Sequence, residues 1–269
     1  MPRLLKQIII AAAFFIIVGS IVYLSFMRNA FESMVEPAVL IQPPLILSQR
    51  LLKVNPVKSS EAGPPSAEFN GVKDFDYDFL AEVRNPNPDF GATDVSYKLD
   101  LFGRSGELIA MKTGSINLLP GQTRYEIISP IIVDKEISSA EFKIIDAAWE
   151  RLKEFIPQSL FLVKNQEYAF LPLDLGSRLK ATLSNNSNFD FDRVDVHVIL
   201  FNEDNDVLAV SRTDIRTFLA KTDRFFEVKW SPRFSGSVGR MEINAYTNVF
   251  KNENFIREHG TQEKFQRFY

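Results

Sequence analysis

Residues 81–102 read AEVRNPNPDFGATDVSYKLDLF and residues 181–201 read ATLSNNSNFDFDRVDVHVILF. In the first stretch Val95, Tyr97, Leu99 and Leu101 alternate with Ser96, Lys98 and Asp100, the pattern of a strand with one apolar and one polar face. In the second, Val194, Val196, Val198 and Leu200 occupy the matching places, followed by Phe201 where the first has Phe102. An asparagine closes the preceding strand in both, Asn85 after Ala81-Glu-Val-Arg and Asn185 after Ala181-Thr-Leu-Ser. The same order recurring about 100 residues apart is the mark of a duplicated unit.

The correspondence extends outward from these two stretches. Leu108-Ile109-Ala110 answers Val207-Leu208-Ala209, Ile116 answers Ile215, Leu119 answers Leu219, and Thr123-Arg124-Tyr125 answers Asp223-Arg224-Phe225. Asp74–Val83 alternates acids with Phe75, Tyr77 and Phe79, and Leu45–Val54 supplies a first strand. Gly103-Arg104-Ser105-Gly106 and Pro120-Gly121 are turn sequences, because glycine tolerates positive φ and proline fixes its own φ at a negative value suited to turns. Short strands at roughly 8–12-residue spacing with few helical signals predict an all-β protein built of two antiparallel β-sandwiches of about seven strands each. The first occupies residues 45–148 and the second 158–250, with a connector at 149–157. In Asp146–Ile156 the residues Ala148, Leu152 and Phe155 share one helical stripe, which predicts a short capping helix stopped by Pro157. Residues 251–269 mix charge with Phe255, Phe265, Phe268 and Tyr269 without a period and read as a mobile tail.

Ile8–Met27 is an uncharged apolar run of about twenty residues, enough to cross a hydrocarbon layer of about 30 Å as a helix. A cleaved signal would have a shorter apolar region and a small-residue cleavage site, and here bulky residues follow, so residues 1–28 read as a short stub and an uncleaved membrane anchor. Arg3 and Lys6 precede the run, whereas Arg28, Glu32 and Glu36 follow it, which places the N-terminus in the cytoplasm and the remainder outside the cell membrane. Residues 29–44 contain Pro37, Pro43 and Pro44 and form an extended stalk. Asn55–Ser66, rich in proline and serine, reads as an exposed loop.

In the 269-residue chain, 31 Lys+Arg against 34 Asp+Glu give a net charge of −3, so there is no broad basic surface for nucleic acid. With no cysteine, thiolate catalysis and cysteine-ligated metal are excluded, and two histidines leave little for acid–base chemistry. No catalytic, cofactor-binding or metal-ligating residue is assigned. His197, opposite Val196 and Val198 on its strand, reads as a solvated histidine instead of a ligand. Asp74, Asp76 and Asp78, like Asn188, Asp190 and Asp192, have calcium-loop spacing, but alternation on a solvated strand face produces it equally. Glu203-Asp204-Asn205-Asp206 fits a hairpin turn, where Asn and Asp tolerate left-handed geometry. Most of the 24 phenylalanines are needed as core, since small sandwiches bury little surface per residue. At Phe225-Phe226 adjacent residues must face opposite ways, which puts one ring outward.

The strand–turn–strand unit resembles the FxLYD domains, immunoglobulin-like modules of bacterial and archaeal envelope proteins. The residues that carry the resemblance are Val198-Ile199-Leu200-Phe201-Asn202 and Leu99-Asp100-Leu101-Phe102-Gly103, which keep the leucine and an aromatic but neither the opening Phe nor the closing Asp. Val83-Arg84-Asn85-Pro86-Asn87-Pro88 is similar to the strand-ending Asn-Pro-Asn of the late-embryogenesis-abundant type of β-sandwich, whereas the second unit has Asn185-Asn186-Ser187-Asn188. One anchor followed by two such domains resembles surface proteins of candidate-phylum bacteria. The resemblance spans about residues 45–250. It implies tandem immunoglobulin-like sandwiches on a single-pass helix, and it carries over no catalytic residue. The expected role is a non-enzymatic spacer and interaction module in the cell envelope, with the lipid bilayer as partner through residues 8–27 and a protein or glycan as the other. The rival expectation is a glycan- or peptidoglycan-binding module using exposed aromatics.

Overall fold

The computed structural model describes residues 18–24, 41–54, 75–152, 160–172, 176–230 and 236–259. The chain divides into two compact units, Met1–Ile41 and Gln42–Tyr269. In the first, residues 18–24 are helical (α1). Among the described residues no helix is long and apolar enough to cross a membrane, and the rest of the expected anchor 8–27 lies outside them, as does the loop 55–66.

The second unit is all-β. Its strands are β1 (Leu45–Val54), β2 (Phe75–Arg84), β3 (Phe90–Phe102), β4 (Leu108–Leu118), β5 (Thr123–Val133), β6 (Ser139–Arg151), β7 (Phe161–Phe170), β8 (Ser177–Asn185), β9 (Phe191–Phe201), β10 (Val207–Phe218), β11 (Asp223–Trp230) and β12 (Arg240–Tyr246). They form four antiparallel three-stranded sheets ordered β1-β2-β5, β4-β3-β6, β7-β8-β11 and β10-β9-β12. The third sheet repeats the first and the fourth repeats the second, so each half has six described strands where about seven were expected.

Alternation builds the two principal cores. Tyr77, Phe79, Ala81 and Val83 of β2 face Val95, Tyr97, Leu99 and Leu101 of β3, and Leu179, Ala181 and Leu183 of β8 face Val194, Val196, Val198 and Leu200 of β9. Each such aliphatic or aromatic side chain, removed from water, contributes about 1.5–3 kcal/mol. The strand-ending asparagines do identical work. Asn85 Nδ2 donates to the carbonyls of Phe90 and Leu119, and Asn185 Nδ2 to those of Phe189, Phe218 and Leu219. Gly121 and Lys221 take the same positive φ, 66° and 57°, in the turn that each asparagine segment supports. A buried amide that satisfies several backbone groups at once explains why the residue recurs.

A third, smaller apolar cluster joins the halves. Leu80 of β2 and Ile127 of β5 pack against Ile199 and Phe201 of β9 and Val210 of β10. Leu80 points away from the core that takes Phe79 and Ala81, and Ile199 away from the core that takes Val198 and Leu200. The outward face of sheet β1-β2-β5 therefore lies on the outward face of sheet β10-β9-β12, and the unit is a stack of four sheets.

Two expectations give way here. The described part of the stretch predicted as a helix is strand: β6 runs through Asp146–Arg151, pairing Trp149 with Ala92 and Arg151 with Phe90, three residues beyond the expected limit at 148. A register break between Ser96 and Tyr97 moves the inward set of β6 from Ala140, Phe142 and Ile144 to Ala147 and Trp149, which erases simple alternation in the sequence. Leu152, the residue after the strand, lies in the second half's core, and residues 153–159 lie outside those described. The expected mobile tail is ordered as far as it is described. Val249–Lys251 makes a 3-10 turn and Glu253–His259 a helix (α2). Asn252 caps α2 by accepting from the Phe255 amide at 3.0 Å, and Phe255, 1% exposed, packs edge-to-face on Phe189. Residues 260–269 are outside the described set. Phe225 is 63% exposed and Phe226 buried, as the adjacency of the two rings requires.

Candidate functional site

Beside the apolar seam the two halves enclose a cleft of about 930 Å³. Its floor is polar and buried. Arg124 and Glu126 lie two residues apart on β5, on the face that also carries Ile128 into the first core, at the edge of sheet β1-β2-β5. Tyr97 donates its hydroxyl hydrogen to Glu126 Oε1 at 2.9 Å. Arg124 Nη1 donates to Asn117 Oδ1 at 2.9 Å and to the Asn117 carbonyl at 3.3 Å, while Nη2 stands 3.9 Å from Glu126 Oε2. Gly114 makes room for this arrangement, because a β-carbon there would collide with the Tyr97 hydroxyl.

The second half closes over the same groups. The Arg124 guanidinium lies 4.5 Å above the Tyr246 ring, and the Tyr246 hydroxyl accepts from the Tyr125 amide at 3.1 Å. His197 Nδ1 is 3.0 Å from the Tyr125 carbonyl, and Arg212 Nη1 donates to the Ile127 carbonyl at 3.2 Å. Asn117 Nδ2 donates to the Thr247 carbonyl and Asn248 Nδ2 to the Thr93 carbonyl. β5 is an edge strand, so its outward backbone groups need partners, and side chains of the opposite half supply them.

His197 is thus 2% exposed, contrary to the solvated face expected of it. The face assignment is right and the environment is not, because the stacking of the halves covers that face. Burial, reinforced by Arg124, lowers its pKa to about 3, so the ring is neutral at physiological pH. A neutral imidazole donating through Nδ1 keeps Nε2 as an acceptor. Burial pushes the Glu126 carboxyl above the ordinary range, against the opposing pull of Arg124 and the Tyr97 hydroxyl. It also raises Tyr97, with the Glu126 charge adding to the effect.

The mouth is acidic. Asp94 from the first half and Asp190, Asp192 and Glu253 from the second line it and are exposed. Asp195 is taken by Arg193, whose Nε donates to it at 2.8 Å. Two of the carboxylates with calcium-loop spacing have protein partners. Asp190 Oδ1 accepts from the Ala220 amide, Asp78 is held by Ser129 opposite the β5 bulge, and Asp74 lies outside the described residues. Among the described residues no group of three or more potential ligands could hold a metal. In the Glu203–Asp206 turn, Asn205 has φ 69° and Asn202 Oδ1 accepts from the Asp206 amide, so these residues shape a hairpin. Sequence reading missed Arg124, Glu126, Tyr97 and Tyr246. Its one available signal was charge at Arg124 and Glu126 in phase with the inward-facing Ile128.

Fold and cleft together define an all-β protein of repeated three-stranded sheets with a polar cleft between its halves. The chain matches no protein-family model, and no curated protein matches it.

Proposed function

We propose that this chain is a single-pass cell-envelope protein, anchored through residues 8–27 with its N-terminus in the cytoplasm. In this reading two immunoglobulin-like sandwiches of the FxLYD or late-embryogenesis-abundant kind act outside the membrane as a non-enzymatic spacer and interaction module. The observation that carries the module reading is the seam. Leu80, Ile127, Ile199 and Val210 are each no more than 3% exposed, and five backbone carbonyls or amides are bonded across the halves by side chains. Such a body presents surfaces in a fixed relation, which suits display and docking. The non-enzymatic part is supported by His197, whose buried, neutral ring is engaged in holding β5. Aromatic stacking on glycans has less support, since Phe225 and Phe170 are exposed on separate strands, β11 and β7.

The anchoring is tested with the cysteine-free chain itself. A single Ser105→Cys variant, at an exposed turn position, is expected to react with a membrane-impermeant maleimide in intact cells, and the chain to resist carbonate extraction from membranes. Labelling only after lysis, or release by carbonate, would overturn the placement.

A further inference from the structure

We propose that the cleft between the halves binds a peptide segment bearing lysine or arginine side chains, which, resting on the interaction-module reading, gives that module's partner its chemistry. At about 930 Å³ the cleft is the size of a site for a small ligand or short peptide. Its floor offers both halves of a peptide's hydrogen bonding. Arg124 is 4% exposed, and its Nε is buried without an acceptor. A buried donor left in this state is unfavourable, and a peptide carbonyl would relieve it. His197 lines the same floor, and its Nε2 is an acceptor for a peptide N–H.

The mouth selects the side chains. Asp94, Asp192 and Glu253 have no basic side chain within salt-bridge distance among the described residues, and Asp190 bonds only a backbone amide. Of the lining cations, Arg124 faces Glu126 and Arg193 is paired with Asp195, which leaves Arg212 and Lys251 against five carboxylates, those of Asp94, Glu150, Asp190, Asp192 and Glu253. A wall with an excess of negative charge over a low-dielectric floor focuses the field and attracts cationic ligands. Both halves contribute to floor and mouth, so the site exists only when they are stacked.

The test uses the full-length chain in detergent micelles and fluorescein-labelled peptides alternating glycine with lysine, with glutamate or with serine, read by anisotropy. The lysine peptide is expected to bind, more weakly as salt is raised from 50 to 300 mM, and the other two not to bind. The exposed pair Asp192→Asn and Glu253→Gln is expected to weaken it about fivefold without changing thermal unfolding. Equal binding of all three peptides, unchanged affinity in the double variant, equal affinity for spermidine, or no binding by a chain that unfolds normally would each overturn the proposal. None of these results bears on the maleimide and carbonate measurements, so failure of the ligand and failure of the anchoring remain separate.

Discussion

Replacing Arg124 with methionine removes the counter-charge of a carboxylate that is 5% exposed, and the structure sets the size of the effect. The variant loses the bond from Nη1 to Asn117 Oδ1, the charge 3.9 Å from Glu126 Oε2 and the cation over Tyr246. Breaking a buried ion pair from one side costs about 3–5 kcal/mol, because the surviving charge stays uncompensated, and that is a large part of the roughly 5–15 kcal/mol total of a folded domain. Urea unfolding of Arg124→Met should show this loss at neutral pH. Glu126 holds its proton more tightly folded than unfolded, and more so without Arg124, which lowers its pKa. The penalty is therefore full above the folded value and disappears as pH falls below the ordinary carboxylate value, so the gap between variant and parent should narrow on acidification. Replacing both partners, Arg124→Met with Glu126→Leu, should recover most of the loss. A single variant within about 1 kcal/mol of the parent, a gap independent of pH, or a double variant no better than the single would refute the reasoning.

His197 has its pKa lowered to about 3 from 6.5, so its neutral form stabilises the fold fully above pH 6.5 and that contribution is lost on acidification, by about 1.4 kcal/mol per pH unit down to about pH 3; His197→Asn should flatten this part of the pH–stability curve in urea titrations. Gly114→Ala should cost about 1–3 kcal/mol by driving a methyl group into the Tyr97 hydroxyl and the ring carbon that bears it, a loss that calorimetry should find. Ile199→Ala opens the seam and should cost about 2–4 kcal/mol, with limited proteolysis releasing separate halves faster than from the parent; an unaltered cleavage rate would count against a packed seam.

Much of the architecture is written in period-two patterns. Val95, Tyr97, Leu99 and Leu101, like Val194, Val196, Val198 and Leu200, mark the face of one strand that enters the core of its half, and the duplicated asparagines mark equivalent turns. What escaped is where a face expected to be wet is covered. Phe79-Leu80, Ile127-Ile128 and Val198-Ile199-Leu200 break alternation with consecutive apolar residues, the signature of a strand buried on both sides, and these are the strands that meet at the seam. Weighing those doublets would have placed His197 in an interface. The floor of the cleft was less accessible, since Arg124 and Glu126 read as ordinary strand charges until Tyr97, Asn117 and Tyr246 converge on them from β3, β4 and β12. β6 shows the opposite failure, in which one register break makes strand residues mimic a helical stripe. Asn252 with Glu253 and the apolar pair Phe255-Ile256 was a legible helix start, obscured by the charged residues around it.

The stacking of the two halves is tested most directly by methyl-resolved nuclear Overhauser measurements on the full-length chain with labelled Ile, Leu and Val. Cross-peaks from the Leu80 and Ile127 methyls to those of Ile199 and Val210 are the expected result. Their absence, with each half retaining the cross-peaks of its own core, would show two independently moving halves and contradict the account.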